Sequence, residues 1–345
     1  MQLQRVVLHN FRNMQSRSFE LSPRLTVVLG PNSQGKTNLL ESIHVVTNGT
    51  GFRETKESEL LHFDETQGSI DALFKQNVDQ IHCKVMLVMR ADALAKTYFI
   101  NKAKRMVRDY LRDQVRSVLF APQQIEILTG EPSLRRAYFN RLISLFDFEY
   151  KKRLDNYESA LRRRNKLLET IHDMFRLKDE IAFWDTYLVE QATYITSIRQ
   201  EYTAFLNKKP NLSHKSFSIK YVKSELTQSR LDEEFDRQMR ARRTLIGPQK
   251  DDFIVSLDGQ DVHKFGSRSQ QRLAILWLKL AEIRFSQEKT GKTPILLLDD
   301  IFSEFDPTNK KLVLDLIKDF QTVATTTEKE IVDVLPDIEK SVVQI

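Results

Sequence analysis

The sequence predicts an α/β fold with a largely parallel sheet, which an inserted α-helical arm divides in two. Short apolar runs at residues 25–29 and 295–298 have the length of buried strands and are too short for helices. Between them, apolar side chains recur at the spacings of amphipathic helices. The outer segments must therefore meet in space, and we expect the first half of the sheet domain at residues 1–130, the arm at 131–243 and the second half at 244–345.

The strands of the sheet follow from their local patterns. Residues 2–8 alternate and are expected to form an edge strand. The two buried strands at residues 25–29 and 295–298 are joined by a third at residues 322–324, which follows a helical pattern at residues 310–320. Because strands that alternate with helices form parallel sheets, this order favours a parallel arrangement.

The arm is predicted to be a pair of antiparallel helices. The helices are joined near residues 176–180 and would pack as a coiled-coil-like hairpin. The apolar stripe of the first helix is interrupted at Arg164 and that of the second at Gln191, which predicts a short hairpin. Residues 133–243 hold 23 Lys or Arg against 16 Asp or Glu. This basic excess favours a polyanionic partner for the arm.

Composition excludes several classes of protein. With 41% hydrophobic and 29% charged residues, the chain is typical of a folded, water-soluble protein. Cys83 is the single cysteine, which rules out an internal disulfide and a multi-cysteine zinc site. No apolar run approaches the ~20 residues of a membrane span. Residues 1–10 alternate and do not resemble a secretion signal. We therefore expect a cytoplasmic protein with no membrane partner.

A glycine-rich motif follows the first buried strand. Its glycines allow backbone N–H groups to turn inward onto phosphates, and the helix after it adds positive potential at its N-terminus. We expect Lys36 to reach the β- and γ-phosphates of a nucleoside triphosphate, and Thr37 to bind Mg²⁺. The plainer alternative is an ordinary strand–turn–helix connection. The motif consists of Gly30, Pro31, Asn32, Ser33, Gln34, Gly35, Lys36 and Thr37.

Two carboxylates end the strand at residues 295–298. Ligands of open α/β sheets bind at the carboxyl ends of strands, where these side chains would lie. We expect Asp299 to bind Mg²⁺ and Asp300 to polarise the attacking water in hydrolysis, with Lys36 as the second catalytic residue. An acidic strand end that simply faces solvent is the alternative interpretation, which the phosphate motif makes less favourable.

A second phosphate-binding segment is predicted before a helix whose apolar face includes Leu273, Leu276 and Trp277. Small polar residues at a helix N-terminus can hold phosphate. One subunit cannot easily direct two helix N-termini at one γ-phosphate, whereas a second copy can supply the other. A serine N-cap without a ligand is the plainer interpretation. The segment consists of Ser267, Arg268, Ser269 and Gln270.

The order of these motifs resembles the ABC-type ATPase heads of the SMC class, and in detail the RecF family. The chain therefore looks like an SMC-like P-loop ATPase head with an inserted helical arm. The resemblance extends from Leu3 to about Thr327. It rests on residues 10–13, 35–41, 52–53, 119–122, 130–136, 247–252 and 298–306.

The resemblance implies that ATP and Mg²⁺ lie between two heads of an ATP-dependent homodimer. One head would supply the phosphate loop together with Asn38 and Arg12, and the other would supply residues 267–270. Asp306 would belong to the D-loop that crosses the interface. Gln123 is placed as the Q-loop ligand of Mg²⁺, with Gln124 kept as the alternative. Either Thr325 or Thr326 would occupy the switch position.

The family also implies a role in DNA repair. The dimer would clamp double-stranded DNA at gaps or ss/dsDNA junctions and act with RecR and RecO to load RecA, with slow, DNA-stimulated ATP hydrolysis. Contacts to the DNA backbone are expected from the arm, at Lys152, Arg162, Arg163 and Arg164. The alternatives are a nucleotide-binding subunit of a membrane transporter, and a small-molecule kinase or GTPase.

Four positions depart from the family pattern. Ser33 and Ser269 replace glycines, and residues 249–250 read Gln-Lys in place of His-Arg. We expect Ser33 to be harmless if its φ is negative. Ser269 is expected to weaken ATP-driven dimerisation, because glycine there would permit a closer backbone approach.

Overall fold

The computed structural model describes residues 1–53, 56–91, 93–304, 307–327 and 339–345. The chain forms two compact units: Met1–Gln124 with Lys279–Ile345, and Ile125–Leu278. The first boundary lies near the predicted one at 130/131. The second lies at 278/279 and not at 243/244, because two strands on either side of residue 244 pair with each other and keep this segment in the second unit.

Strands dominate both ends of the chain, and helices dominate its middle. The strands are β1 (Gln2–Phe11), β2 (Met14–Glu20), β3 (Leu25–Leu29), β4 (Gln67–Gln76), β5 (Asp79–Arg90), β6 (Ala93–Ile100), β7 (Ala103–Arg105), β8 (Ser117–Phe120), β9 (Asn211–Leu212), β10 (Lys215–Val222), β11 (Asp252–Leu257), β12 (Gln260–Asp261), β13 (Ile295–Asp299), β14 (Thr322–Thr326) and β15 (Lys340–Gln344). The helices are α1 (Lys36–Asn48), α2 (Val107–Asp113), α3 (Glu126–Thr129), α4 (Pro132–Phe146), α5 (Phe148–Thr170), α6 (Met174–Leu206), α7 (Gln228–Glu233), α8 (Phe235–Ala241), α9 (Val262–Phe265), α10 (Arg268–Thr290) and α11 (Pro307–Asp319).

The first unit contains the predicted parallel sheet, in the order β15-β3-β14-β13-β8. Strands β3, β13 and β14 are buried along their whole length, which explains the apolar runs of β3 and β13. The predicted strands at residues 25–29, 295–298 and 322–324 are therefore confirmed. Since Thr326 pairs with Leu29 and Asp299 pairs with Thr325, the carboxyl ends of β3, β14 and β13 lie side by side.

A six-stranded antiparallel sheet, in the order β2-β1-β4-β5-β6-β7, completes the first unit. The prediction of an edge strand at residues 2–8 was wrong, because β1 pairs with β2 on one side and with β4 on the other. Val6, for example, lies opposite both Phe19 and Ala72. Helix α1 contacts strands of both sheets and is buried over most of its length.

The second unit contains the helical hairpin of α5 and α6. The helices join at residues 171–173 and not at 176–180, because the Asp173 carboxylate accepts a hydrogen bond from the Arg176 backbone N–H at 2.8 Å and so begins α6. Leu168, Leu177 and Ile181 close the hairpin near this turn, together with Phe235 of α8. A small antiparallel sheet in the order β12-β11-β10-β9 completes the unit.

The polar residues in the hairpin do not interrupt its packing, so the prediction of a short hairpin was wrong. Arg164 and Gln191 are both buried. Arg164 forms an ion pair with Asp185 on α6 and donates to Gln238 Oε1 at 2.8 Å and Thr244 Oγ1 at 2.9 Å. The buried stripe therefore continues through an ion-paired cation, and the helices extend over 23 and 33 residues.

Among the described residues, no helix has the length and apolar character needed to cross a membrane.

Replacing Arg164 with alanine is expected to lower the free energy of unfolding by about 3–5 kcal/mol, because Asp185 would become a buried, unpaired charge. The neighbouring exposed Arg162 gives the matched control: Arg162→Ala is expected to change stability by less than about 0.5 kcal/mol. Urea unfolding monitored by circular dichroism measures both. Equal stabilities of the two variants would contradict the assigned role of Arg164.

Candidate functional site

The phosphate loop joins the buried strand β3 to helix α1. Gly35 begins the helix with φ 108°, a left-handed conformation that favours glycine. A Cβ atom there would lie 2.8 Å from Met14 Cε and 2.9 Å from Asn13 Oδ1, so the turn also lacks space for a side chain. The first turn of α1 carries no acidic residue, which leaves its positive end available to an anion.

Ser33 adopts a backbone conformation that is favourable for glycine and unfavourable for serine. Its φ is 66°, in the left-handed region. The condition under which the substitution was expected to be harmless, a negative φ, is therefore not met, and the loop keeps its path at the expense of backbone strain. Such a conformation costs a non-glycine residue about 1–2 kcal/mol.

The Lys36 side chain lies inside the loop. Its ammonium donates to the carbonyl oxygens of Gly30 at 2.7 Å and Pro31 at 2.9 Å, with Asn32 Oδ1 at 3.5 Å. Lys36 is largely buried. The loop therefore surrounds a positive charge whose neighbours are neutral acceptors, and a phosphate oxygen would be a stronger partner.

Asp299, at the end of β13, connects the start of α1 with the end of β14. Thr37 Oγ1 donates to its Oδ1 at 2.9 Å, and Thr325 Oγ1 donates to the same oxygen at 2.8 Å. The Asp300 backbone N–H donates in turn to Thr325 Oγ1 at 3.0 Å. Burial raises the pKa of Asp299, and the hydrogen bonds from Thr325 and Thr37 oppose this effect. Of the two threonines predicted for the switch position, Thr325 is the one that contacts both carboxylate residues.

The same residues fit a magnesium ion chemically. A hydroxyl and a carboxylate are hard oxygen ligands, and Mg²⁺ in phosphate sites is typically bound by one or two carboxylates with substrate phosphates. Thr37 and Asp299 already lie within hydrogen-bond distance of each other. Gln123 lines the same cavity, whereas Gln124 Oε1 accepts from the Ala121 backbone N–H at 3.2 Å. This geometry favours Gln123 over Gln124 as the Q-loop residue.

Arg12 lines the same cavity and forms a buried ion pair that was not predicted from the sequence. Its Nε and one terminal nitrogen donate to Glu41 Oε2 at 2.7 Å and Oε1 at 2.9 Å. Glu41 also accepts from the backbone N–H groups of Phe52 and Arg53. Burial would raise the pKa of Glu41, but Arg12 and these N–H groups outweigh it and lower the pKa. The signal available in the sequence was a lone carboxylate within the apolar helix α1.

These residues surround a cavity of about 940 Å³, which is large enough for a nucleotide. Its walls carry both the predicted residues and others that the sequence did not indicate. The predicted members are Arg12, Asn32, Ser33, Gly35, Lys36, Thr37, Asn38, Gln123, Asp299 and Asp300. The additional members include Asn13, Arg53, Glu59, Leu61, His62, Phe63 and Pro122.

The predicted trans segment begins helix α10 in the second unit. The Ser267 backbone N–H donates to Gln270 Oε1 at 2.8 Å, and the Gln270 N–H donates to Ser267 Oγ at 3.3 Å. This reciprocal pair is a capping box, which accounts for these two residues within a single chain. Ser267, Arg268 and Ser269 are exposed. Their contribution to the nucleotide site of a second copy stays a prediction. Asp306, predicted for the D-loop, lies outside the described residues.

The structure corrects one of the predicted DNA contacts. Lys152, Arg162 and Arg163 are exposed, and the Arg163 guanidinium lies over the Trp184 ring at 5.2 Å. Arg164, in contrast, is buried in its ion pair with Asp185 and cannot reach a ligand in solvent. We therefore remove Arg164 from the candidate DNA-binding residues.

Fold and site together define a P-loop ATPase head of the SMC-like, ABC type, with a helical arm inserted between the two segments of its sheet. Residues 2–340 match the family model of the RecF/RecN/SMC N terminal domain. The chain is 33% identical over 347 residues to the DNA replication and repair protein RecF of Thermoanaerobacter sp. (strain X514), covering 95% of both proteins. The chain belongs to the RecF family.

Further similarities agree with this assignment. RecF of Caldanaerobacter subterraneus subsp. tengcongensis is 31% identical over 351 residues, which cover 96% of each chain. A solved structure of the recombination mediator protein RecF with ATP, from the RecFOR pathway, superimposes with a TM-score of 0.84 at 30% identity. The similarity covers 98% of this chain and 93% of that one.

Replacing Ser33 with glycine is expected to raise the free energy of unfolding by about 0.5–1 kcal/mol. The free energy gained by relieving the left-handed strain is larger than the free-energy cost of the extra flexibility that glycine gives the unfolded chain. Gln34, in the same loop, does not have a positive φ, so Gln34→Gly is expected to destabilise the protein. Denaturant unfolding of the two variants checks the difference, and a Ser33→Gly protein no more stable than Gln34→Gly would refute the strain.

Proposed function

We propose that this protein binds ATP with Mg²⁺, dimerises upon binding, and clamps double-stranded DNA during recombinational repair and replication restart. The contact between Thr37 and Asp299 carries this proposal, because it joins the phosphate loop to the carboxylate-bearing strand in one site. The similarity to RecF solved with ATP supports the choice of nucleotide. The cytoplasm is the proposed location.

Binding begins at the phosphate loop. Backbone N–H groups before α1 would donate to the phosphates, and the Lys36 ammonium would exchange the carbonyls of Gly30 and Pro31 for a β- or γ-phosphate oxygen. Asn38, next to Thr37 in the first turn of α1, would lie at the same end of the helix. Arg12 is held at the cavity wall by Glu41, so it would meet the phosphates with little loss of side-chain entropy.

Hydrolysis in this site is a matter of positioning. Mg²⁺, when bound by Thr37, Asp299 and Gln123, would neutralise the charge that develops on the phosphates. Asp300 would orient and polarise the attacking water, and its backbone is fixed by the bond to Thr325 Oγ1. No protein nucleophile is needed. The resemblance to the RecF family further implies weak, DNA-stimulated turnover that is coupled to dimerisation.

A second copy would complete the site. Ser267, Arg268, Ser269 and Gln270 begin α10, and the positive end of that helix would face the γ-phosphate of the partner. The exposure of the first three residues supports this role. Asp306 is proposed as the D-loop residue at the same interface.

The arm would contact the DNA backbone through exposed cations. Lys152, Arg162 and Arg163 remain as candidates after Arg164 is excluded. Contacts of this kind give salt-dependent affinity without base reading. Gapped DNA or ss/dsDNA junctions are the proposed targets, and RecR, RecO and RecA are the proposed pathway partners. The transporter-subunit alternative is not retained, because the chain belongs to the RecF family.

Two substitutions separate nucleotide binding from hydrolysis. Lys36→Ala is expected to weaken ATP binding by about 100-fold, since it removes the buried cation and its charge-assisted bonds, each worth about 1.5–3 kcal/mol. Asp300→Asn should keep ATP affinity within a few-fold and lower hydrolysis by at least about 100-fold. Calorimetric binding and phosphate release measure the two effects. Normal hydrolysis by Asp300→Asn would show that another group polarises the water.

Ser269→Gly is expected to strengthen ATP-dependent dimerisation by about 5- to 10-fold, because glycine allows a closer backbone approach across the interface. Sedimentation with a slowly hydrolysed ATP analogue gives the monomer–dimer constant. Ser267→Arg is the opposing control and should block dimerisation while the monomer still binds ATP. Identical constants for Ser269→Gly and the unmodified protein would contradict this expectation.

A further inference from the structure

One wall of the nucleotide cavity carries an aromatic side chain that no phosphate-binding step uses. Phe63 is 83% exposed and lines the same cavity as Lys36 and Thr37. Within the described part of the chain, it is the only exposed large hydrophobic residue that lines this cavity. A phenyl ring left in water at the edge of a binding cavity remains available to an apolar part of the ligand.

A tight turn fixes the backbone that presents Phe63. The Glu65 N–H donates to the carbonyl oxygen of His62 at 3.0 Å, and the His62 N–H donates to the Asn10 carbonyl oxygen at 3.0 Å. Asp64, the third residue of the turn, has φ 60°. Leu61, just before the turn, is buried and pairs with Phe11 in an isolated β-bridge. The ring therefore projects from a segment anchored to β1, and few side-chain rotamers need to be fixed when it binds.

The chemistry of the cavity is divided between its walls. Phe63 follows the segment that pairs with β1, whereas at the phosphate loop the Lys36 ammonium bonds the loop carbonyls and the Thr37 hydroxyl bonds Asp299. A triphosphate held there must direct its ribose and base away from the loop, toward the rest of the cavity. Aromatic side chains stack on the flat faces of nucleobases, and every base offers such a face. Among the lining residues described, Phe63 presents the most exposed large apolar surface, which suits a base and not a phosphate.

We propose that Phe63 stacks on the nucleobase of bound ATP; this inference rests on the ATP-binding function proposed above. The ring contributes affinity for a nucleoside triphosphate over an inorganic triphosphate. Because stacking tolerates any base, Phe63 does not by itself select adenine over guanine.

The test compares ATP with inorganic tripolyphosphate, both with Mg²⁺, by isothermal titration calorimetry of the full chain at concentrations where it is monomeric. Phe63→Ala is expected to weaken ATP binding by about 5- to 150-fold and leave tripolyphosphate binding unchanged. Phe63→Tyr, which keeps the stacking face, should bind ATP within about 3-fold of the unmodified protein. Phe175→Ala removes an equally exposed ring (82%) from helix α6 and should leave the affinity for both ligands unchanged.

Each contrary result has a distinct meaning. If Phe63→Ala weakens the binding of both ligands equally, the ring acts on the phosphate site and does not stack on the base, and the inference is overturned. Unchanged ATP affinity in Phe63→Ala also overturns it, while the proposed ATP-binding function stands as long as Lys36→Ala loses binding. Failure of the unmodified protein to bind ATP would refute the proposed function and the inference together.

Discussion

The carboxylate of Asp299 is the point on which the geometry of the cavity depends. It accepts hydrogen bonds from Thr37, which lies 262 residues away in the sequence, and from Thr325 on the neighbouring strand. Without a partner, a buried carboxylate would be strongly disfavoured in its ionised form. The two hydroxyls satisfy it and, in doing so, fix the start of α1 and the ends of β13 and β14 relative to one another. Asp300 is then placed through the same Thr325.

The cations of the cavity are restrained by neighbours that differ in charge. Lys36 is held by neutral carbonyl oxygens, so exchanging them for phosphate oxygens gains charge-assisted bonds. Arg12 is held by the ionised Glu41 and would keep that partner when a phosphate approaches. The two side chains would therefore respond differently to a phosphate: Lys36 would change partners, whereas Arg12 would stay bonded to Glu41. The difference arises because Lys36 is bonded to neutral carbonyl oxygens, whereas Arg12 is bonded to a carboxylate.

Features with a local cause could be predicted from the sequence, and features with distant partners could not. The strands at residues 25–29 and 295–298, and the phosphate loop, are specified by runs of adjacent residues. The central position of β1 depends instead on β4, some sixty residues later. Likewise, the positive φ of Ser33 follows from closure of the loop around Lys36 and is not specified by serine itself. The Asp173 cap of α6 was a local signal that could have been found.

Arg164 shows why a charge within an apolar stripe is ambiguous. From the sequence it interrupts the pattern, but Asp185 on α6 lies in register opposite it and makes it part of the core. Arg199 of α6 is likewise buried and pairs with Asp251, while it also donates to Tyr150 Oη of α5. A slip of one helix along the other would separate these groups, and an unpaired buried charge costs several kcal/mol. The register of the hairpin is therefore fixed by its buried cations. Because Arg164 is buried, its neighbours Arg162 and Arg163 on α5 face solvent, where a polyanion can reach them.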